Sequence, residues 1–162
     1  MYIPAGLNGF LYILLTILLI VISVMDYRTY KIPPWTIVAI GIVGTVYLIF
    51  NPDRRIDGLI GFFFVSIPLC FIYLLTGGRG IGGGDIKLMA VSGLLLGWQK
   101  NILAFLTACV LVACVYLIRK ARRIVCGRRL AFGPYLAAGI MISLVWGGRL
   151  IFAYMSWPGL VF

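Results

Sequence analysis

Long apolar stretches separated by short polar segments are the feature that most constrains the fold of this chain. A helix that crosses the hydrocarbon core of a membrane needs about 20 mostly apolar residues, in a range of roughly 17–25. Six stretches approach this length, at about Leu7–Met25, Trp35–Phe50, Leu59–Thr76, Ile86–Trp98, Ile102–Ile118 and Leu130–Tyr154. The chain is also 63% hydrophobic, whereas soluble domains are roughly 45–50% apolar. This pattern predicts an all-α integral membrane protein of about six transmembrane helices, with residues 1–162 forming a single domain.

Basic residues are distributed unevenly among the segments that join these stretches. The segments after the first, third and fifth stretches carry ten of the fourteen Lys and Arg residues. Because Lys and Arg favour the cytoplasmic side of a membrane, we expect these segments in the cytoplasm and both termini on the non-cytoplasmic side. The run from Arg119 to Arg129 is expected to contact anionic lipid headgroups. This distribution explains the net charge of +10 without nucleic acid as a partner.

The ionisable side chains exclude several kinds of active site. The chain has no His and no Glu, and its four Cys form no C-x-x-C pair. A Ser-His-Asp triad is therefore excluded, and no metal or cofactor is expected. The carboxylates are four aspartates, Asp26, Asp53, Asp57 and Asp85. The predicted orientation puts Asp26 and Asp85 at the cytoplasmic face and the other two at the opposite face.

Asp26 and Asp85 each have a structural interpretation beside a functional one. Asp26 ends the first stretch, where the helix dipole opposes a negative charge by about 0.3–1 kcal/mol, so it is either functional or paired with Arg28 or Lys31. Asp85 opens the fourth stretch, where Asp is a common N-cap. The glycine-rich segment before it, residues 77–84, exceeds what a cap needs and permits close backbone approach or a hinge. A phosphate loop is not favoured, because no G-K-[ST] follows.

Two further glycine patterns predict local structure. Gly93 and Gly97 form a G-x-x-x-G, which predicts close packing between helices. Gly133-Pro134 predicts a break or kink at the start of the last stretch.

Two carboxylates at one membrane face favour hydrolysis of a peptide bond. When two carboxyl groups share one proton, the ionised group accepts a proton from water and the protonated group donates to the carbonyl oxygen. The sequence places both aspartates at one face but does not show that they meet. A small channel or transporter with the two aspartates as an ion or proton site therefore stays open as a non-enzymatic alternative.

Three segments, in the right order, resemble a known family. Residues 82–85, Gly-Gly-Gly-Asp, match the G-x-G-D signature of membrane-embedded aspartyl proteases. The longer string GRGIGGGDIKLMAVSGLLLGWQ resembles the second catalytic region of bacterial type IV prepilin peptidases, DYRTYKIPP resembles the first, and AFGPYLAAG resembles a third recurrent stretch. The resemblance implies an aspartyl endopeptidase of the inner membrane that removes the short basic leader from type IV pilin-like precursors at the cytoplasmic face. The alternative within this class is a G-x-G-D protease that acts on other membrane substrates.

The resemblance also implies roles for individual residues. Asp26 and Asp85 correspond to the catalytic pair, Gly82 and Gly84 to the backbone signature, and Lys87 to the basic residue that follows. Candidates for substrate contact or for tuning the pair are Arg28, Lys31, Pro33, Gly133 and Pro134. Longer family members carry a cytoplasmic domain with two C-x-x-C pairs between their first spans. Here Pro34 follows Asp26 by eight residues with no cysteine between them, which resembles the short members, and N-methylation of the new pilin terminus is not expected.

Overall fold

The protein, described here from a computed structural model, consists of helices and short connections over residues 5–78, 81–122 and 131–156, the part of the chain that the structure describes. The helices are α1 (Ala5–Thr29), α2 (Pro34–Phe50), α3 (Arg55–Leu75), α4 (Gly83–Ala121) and α5 (Gly133–Met155). A short 3₁₀ turn, Pro52–Arg54, joins α2 to α3. The predicted all-α class is confirmed over these residues.

Four of the helices are long and apolar enough to cross a membrane, namely α1, α3, α4 and α5, and α2 is a shorter apolar helix. Their outward faces also carry large apolar side chains. Ile13, Phe63 and Leu117, for example, are each more than half exposed. Exposure of this kind is unfavourable in water and fits a surface that faces lipid acyl chains.

The α4 helix is interrupted at Gly97, where the backbone turns to φ 75° and ψ 173°. The side-chain amide of Asn101 donates a hydrogen bond of 3.0 Å to the carbonyl oxygen of Met89. In a straight helix these two residues would lie roughly 18 Å apart along the axis. The two arms of α4, residues 83–96 and 98–121, therefore fold back against each other, and they occupy the positions of the predicted fourth and fifth stretches.

The α4 helix starts before the fourth apolar stretch, which begins at about Ile86. The helix begins at Gly83, inside the glycine run, and Gly82 in an extended conformation is its N-cap. Glycine is a poor helix former in the middle of a helix. At the N-cap position, however, glycine is among the favoured residues, which suits Gly82.

Backbone-to-backbone contact holds α3 against the reversal in α4. A Cβ atom on Gly61 would lie 2.5 Å from the carbonyl oxygen of Gly93 and 2.7 Å from the carbonyl carbon of Gly97. The buried Asn101 amide donates a second hydrogen bond, of 2.9 Å, to the carbonyl oxygen of Gly61, and its oxygen accepts one of 3.2 Å from the Ser92 hydroxyl. The predicted packing role of Gly93 and Gly97 is confirmed, and Gly97 in addition forms the reversal.

The C-terminal end of α2 is capped by a side chain from the start of α3. The Arg55 guanidinium donates hydrogen bonds of 3.1 Å to the carbonyl oxygens of Leu48 and Ile49. These carbonyls lie in the last turn of α2, where the helix leaves its acceptors unpaired. Arg55 therefore stabilises the α2–α3 connection directly.

Enlarging Gly61 is expected to destabilise the bundle. In Gly61→Ala the new methyl group would force α3 away from α4, at a cost of about 1–3 kcal/mol in the free energy of unfolding. Thermal melting in detergent would measure this loss. Gly9→Ala on α1 is the matched control, because a Cβ atom there meets nothing within 4 Å. A melting temperature for Gly61→Ala equal to that of the control would contradict the described packing.

Candidate active site

A cavity of about 490 Å³ lies at one end of the helical bundle, where the end of α1, the α1–α2 connection and the start of α4 meet. Both predicted catalytic aspartates line it. The full lining is Asp26, Thr29, Tyr30, Lys31, Ile32, Pro33, Pro34, Gly82, Gly83, Gly84 and Asp85. The structure thus brings together two carboxylates that the sequence could assign only to the same face.

Asp26 projects from the last turn of α1 and is only 5% exposed. Its position at a helix C-terminus is electrostatically unfavourable, as the sequence indicates. The structure shows what offsets this: the backbone N–H of Gly133 donates a buried hydrogen bond of 2.8 Å to the Asp26 Oδ2. Gly133 is the first residue of α5, so the partial positive charge of that helix N-terminus faces the carboxylate.

Asp85 is the third residue of α4 and is 9% exposed. The alternative interpretation of Asp85 as the N-cap is wrong, because Gly82 is the N-cap. The Asp85 N–H donates to the carbonyl oxygen of Gly82 at 3.1 Å. The carboxylate lies back over the same residue, since a Cβ atom on Gly82 would be 2.9 Å from Asp85 Oδ2. The first turn of α4 therefore holds Asp85 in the cavity wall.

The glycines between α3 and α4 fall into two groups. Gly77 and Gly78 have φ values of 58° and 74°, which glycine adopts at little cost, and they end α3. Gly82, Gly83 and Gly84 line the cavity, and a Cβ atom on Gly84 would lie 3.1 Å from the Ile32 Cβ. The α1–α2 connection thus approaches Gly84 closely, through the side chain of Ile32.

The other predicted site residues differ in whether they lie at the cavity. Lys31 and Pro33 line the cavity, and Gly133 contacts Asp26. Pro134 lines an adjacent apolar groove of about 230 Å³ between α1 and α5. Arg28 and Lys87 are exposed, and within the described part of the chain neither is among the residues that line the cavity. The geometry therefore gives these two basic side chains no contact with the aspartate pair.

Tyr30 is a cavity residue that the sequence analysis missed. It has a φ of 53°, in the left-handed region that disfavours side chains, and its N–H donates to the carbonyl oxygen of Asp26 at 2.8 Å. Helices often end with one left-handed residue, but this residue is usually Gly or Asn. Because a tyrosine gives no such signal, the helix end at Thr29 and the strained residue after it could not be found from the sequence.

Comparison with known proteins is consistent with this arrangement. The model of the type IV leader peptidase family matches residues 13–117, which include both aspartates and the connections that form the cavity. This chain belongs to that family. The match covers more than half of the chain, from the middle of α1 into the second arm of α4.

Three curated relatives, each named prepilin leader peptidase/N-methyltransferase, show the extent of the similarity. The protein from Pseudomonas putida is 36% identical over 110 residues, which cover 67% of this chain and 38% of that protein. The protein from Xanthomonas campestris is 29% identical over 96% of this chain and 56% of that protein. The protein from Burkholderia pseudomallei is 40% identical over 57% of this chain and 30% of that protein. The matched region thus spans less than two thirds of each relative's length, and no solved structure matches this chain.

Relieving the strain at Tyr30 is expected to stabilise the protein. Tyr30→Gly removes the side chain that disfavours a left-handed backbone, which should raise the free energy of unfolding by about 1 kcal/mol. Thermal melting in detergent would detect the change, and Tyr30→Asn should shift the melting temperature in the same direction by less. A decrease in both variants would mean that contacts of the tyrosine ring outweigh the backbone strain.

Proposed function

We propose that this family member is a membrane-embedded aspartyl endopeptidase that removes the leader peptide from type IV pilin-like precursors. The observation that carries the proposal is the burial of Asp26 and Asp85 in one cavity at an end of the bundle. Family membership and the names of the relatives indicate the substrate class. N-methylation is not part of the proposal, since no cysteine pair follows Asp26 in the α1–α2 connection.

The two carboxylates can perform the whole hydrolysis. The ionised aspartate removes a proton from water as the water oxygen bonds to the scissile carbonyl carbon, and the protonated aspartate donates its proton to the carbonyl oxygen. As the tetrahedral intermediate collapses, the first aspartate gives its new proton to the leaving nitrogen. The second aspartate recovers a proton from a hydroxyl group, and both return to their starting states.

The substrate would enter as an extended segment. A helix binds its own carbonyl oxygens in hydrogen bonds and shields the scissile bond. The cavity lies where α1 ends and α2 and α4 begin, so it is bordered by helix termini and connections. A precursor with a helix-stabilised cleavage site should therefore be cut more slowly than one with an extended site.

The proposed location is the bacterial inner membrane, with the cavity facing the cytoplasm and the chain crossing the bilayer six times. The starts of α2, α4 and α5 all meet the end of α1 at the cavity. A chain that crosses the bilayer in alternate directions, with each arm of α4 as a separate crossing, has these four helix termini on the same side. Both ends of the chain then lie on the non-cytoplasmic side. Arg28 and Lys31 lie at the cavity end, as the positive-inside rule expects.

Anionic lipid is the proposed second partner, bound along the run from Arg119 to Arg129. Arg119, Lys120 and Arg122 lie at the end of α4. The remainder of the run lies outside the residues that the structure describes.

Removing either ionisable carboxyl is expected to slow cleavage by orders of magnitude. Asp26→Asn and Asp85→Asn keep the side-chain shape but remove the acid–base group, and each should lower kcat/KM about 10²–10⁴-fold. The assay is cleavage of a purified pilin-type precursor by the detergent-solubilised protein. Asp53→Asn, in the exposed turn between α2 and α3, is the matched control and should retain activity. An intact protein that cuts nothing but conducts ions across a bilayer would mean that the aspartates form an ion site. An intact protein that cuts other membrane proteins but no pilin-type precursor would mean that the proposed substrate class is wrong.

Two neighbouring glycines offer a second test. In Gly82→Ala the new methyl group would displace the Asp85 carboxylate, because its position lies 2.9 Å from Oδ2. A displacement near 1 Å can cost about 100-fold in rate, so kcat should fall by about 10- to 100-fold. Gly83→Ala lines the same cavity but meets nothing within 4 Å, and should stay within about 3-fold of the unmodified protein. Equal activities in the two variants would argue against the described position of Asp85.

A further inference from the structure

The contact between Gly133 and Asp26 joins residues that are 107 positions apart in the chain. The Gly133 N–H donates to Asp26 Oδ2 at 2.8 Å, and both groups are buried. A Cβ atom on Gly133 would lie 2.7 Å from Oδ2, 2.8 Å from Cγ and 2.9 Å from the Cβ of Asp26. Because real Cβ atoms do not approach other heavy atoms so closely, only glycine at position 133 leaves room for this carboxylate.

The hydrogen bond from Gly133 also favours the ionised form of Asp26 over the protonated form. An N–H donor strengthens its hydrogen bond when the carboxylate is ionised, and the N-terminus of α5 adds a partial positive charge at the same point. The next residue, Pro134, has no N–H to compete for the carboxylate. The one charged side chain in α5 is Arg149, which is 16 residues along the helix, roughly 24 Å away. The influence of α5 on Asp26 therefore comes from the amide of Gly133 and the helix dipole.

Among the residues that the structure describes, the remaining ionisable groups at the cavity are few. Asp85 comes from α4, and Lys31 and the Tyr30 phenol come from the α1–α2 connection. Once Asp26 is ionised, its negative charge disfavours a second negative charge on the buried Asp85. The shared proton then resides on Asp85.

We infer that Gly133 is the positioning residue for Asp26, and that its amide keeps Asp26 as the ionised member of the pair while Asp85 holds the proton. This inference rests on the proposed peptidase function and adds the direction of proton transfer. Asp26 removes the proton from the attacking water, and Asp85 donates to the carbonyl oxygen of the scissile bond. Gly133 itself does not touch the substrate.

The direct test removes the donor without adding an atom. Incorporation of glycolic acid in place of glycine at position 133 replaces the amide N–H with an ester oxygen and leaves the shape of the residue unchanged. A hydrogen bond to a charged group is worth enough that kcat should fall about 10-fold or more, with KM within about 3-fold of the unmodified protein. Gly133→Ala, which displaces the carboxylate by contact, should produce the same split between kcat and KM.

The pH profile of kcat/KM identifies the role of Asp26. If Asp26 is the ionised base, loss of the Gly133 bond moves the acidic limb to higher pH by about one unit and leaves the alkaline limb in place. If Asp26 instead carries the proton, the alkaline limb moves and the acidic limb stays. The limbs belong to the pair as a whole, but only one of them involves the ionisation that the amide stabilises.

Two alanine variants on α5 separate positioning from packing. Gly148→Ala meets nothing within 4 Å and should leave melting temperature, kcat and pH profile unchanged. A Cβ atom on Gly139 would overlap the Ala104 carbonyl oxygen, so Gly139→Ala should lower the melting temperature without moving either pH limb.

The outcomes are distinguishable. An unmodified protein that cleaves no precursor overturns the proposed function. An active protein whose position-133 ester and alanine variants keep the parent kcat overturns the positioning role alone. A shift confined to the alkaline limb overturns the assignment of the proton.

Discussion

Close approach between backbone segments, made possible by glycine, is the constraint on which this structure depends. Gly61 against Gly93 fixes α3 on α4, Gly139 against Ala104 fixes α5 on α4, and Gly133 brings the start of α5 onto Asp26. In lipid, helices gain little from burying apolar side chains against each other, so close packing and hydrogen bonds drive their association. The cavity exists because these contacts place the end of α1 and the starts of α4 and α5 at one point.

Buried polar groups of the backbone and side chains are also paired in this structure. An unpaired polar group costs several kcal/mol where water is absent. At the reversal in α4, Asn101 satisfies the carbonyl oxygens of Gly61 and Met89. At the cavity, the Gly133 amide satisfies Asp26. The contact of Asn101 is structural, and that of Gly133 is proposed to be functional. In both, an N–H donor on one helix pairs with an acceptor on another helix.

Much of this arrangement could be predicted from the sequence, and the failures have a common cause. Apolar length gave the helices, and charge distribution together with the G-x-G-D segment singled out Asp26 and Asp85. The sequence predicted a break between the fourth and fifth stretches. It did not predict the position of that break at Gly97, the N-cap at Gly82 or the left-handed Tyr30, because glycine is compatible with many conformations and a tyrosine gives no sign of a positive φ. The hydrogen bond between Asp26 and Gly133 joins two segments that are distant in the sequence. No local pattern of apolar or charged residues indicates such a contact.

The reversal at Gly97 also has a consequence for the membrane around the protein. The first arm of α4 has 14 residues, 83–96, and is roughly 21 Å long, while the 17 residues of α2 span roughly 26 Å. Both are shorter than a hydrocarbon core of about 30 Å. From Leu88 to Leu96 the first arm of α4 has no exposed residue, so neighbouring helices cover it, whereas α2 exposes Val38, Ile42 and Ile49. In the proposed topology, therefore, α2 is the short helix that meets lipid, and the bilayer would thin beside it. A substrate helix that spans the full 30 Å would extend about 4 Å, or roughly three residues, beyond a layer matched to α2. Those residues would lie outside the hydrocarbon, where the substrate helix could unwind before it reaches the proposed catalytic aspartates.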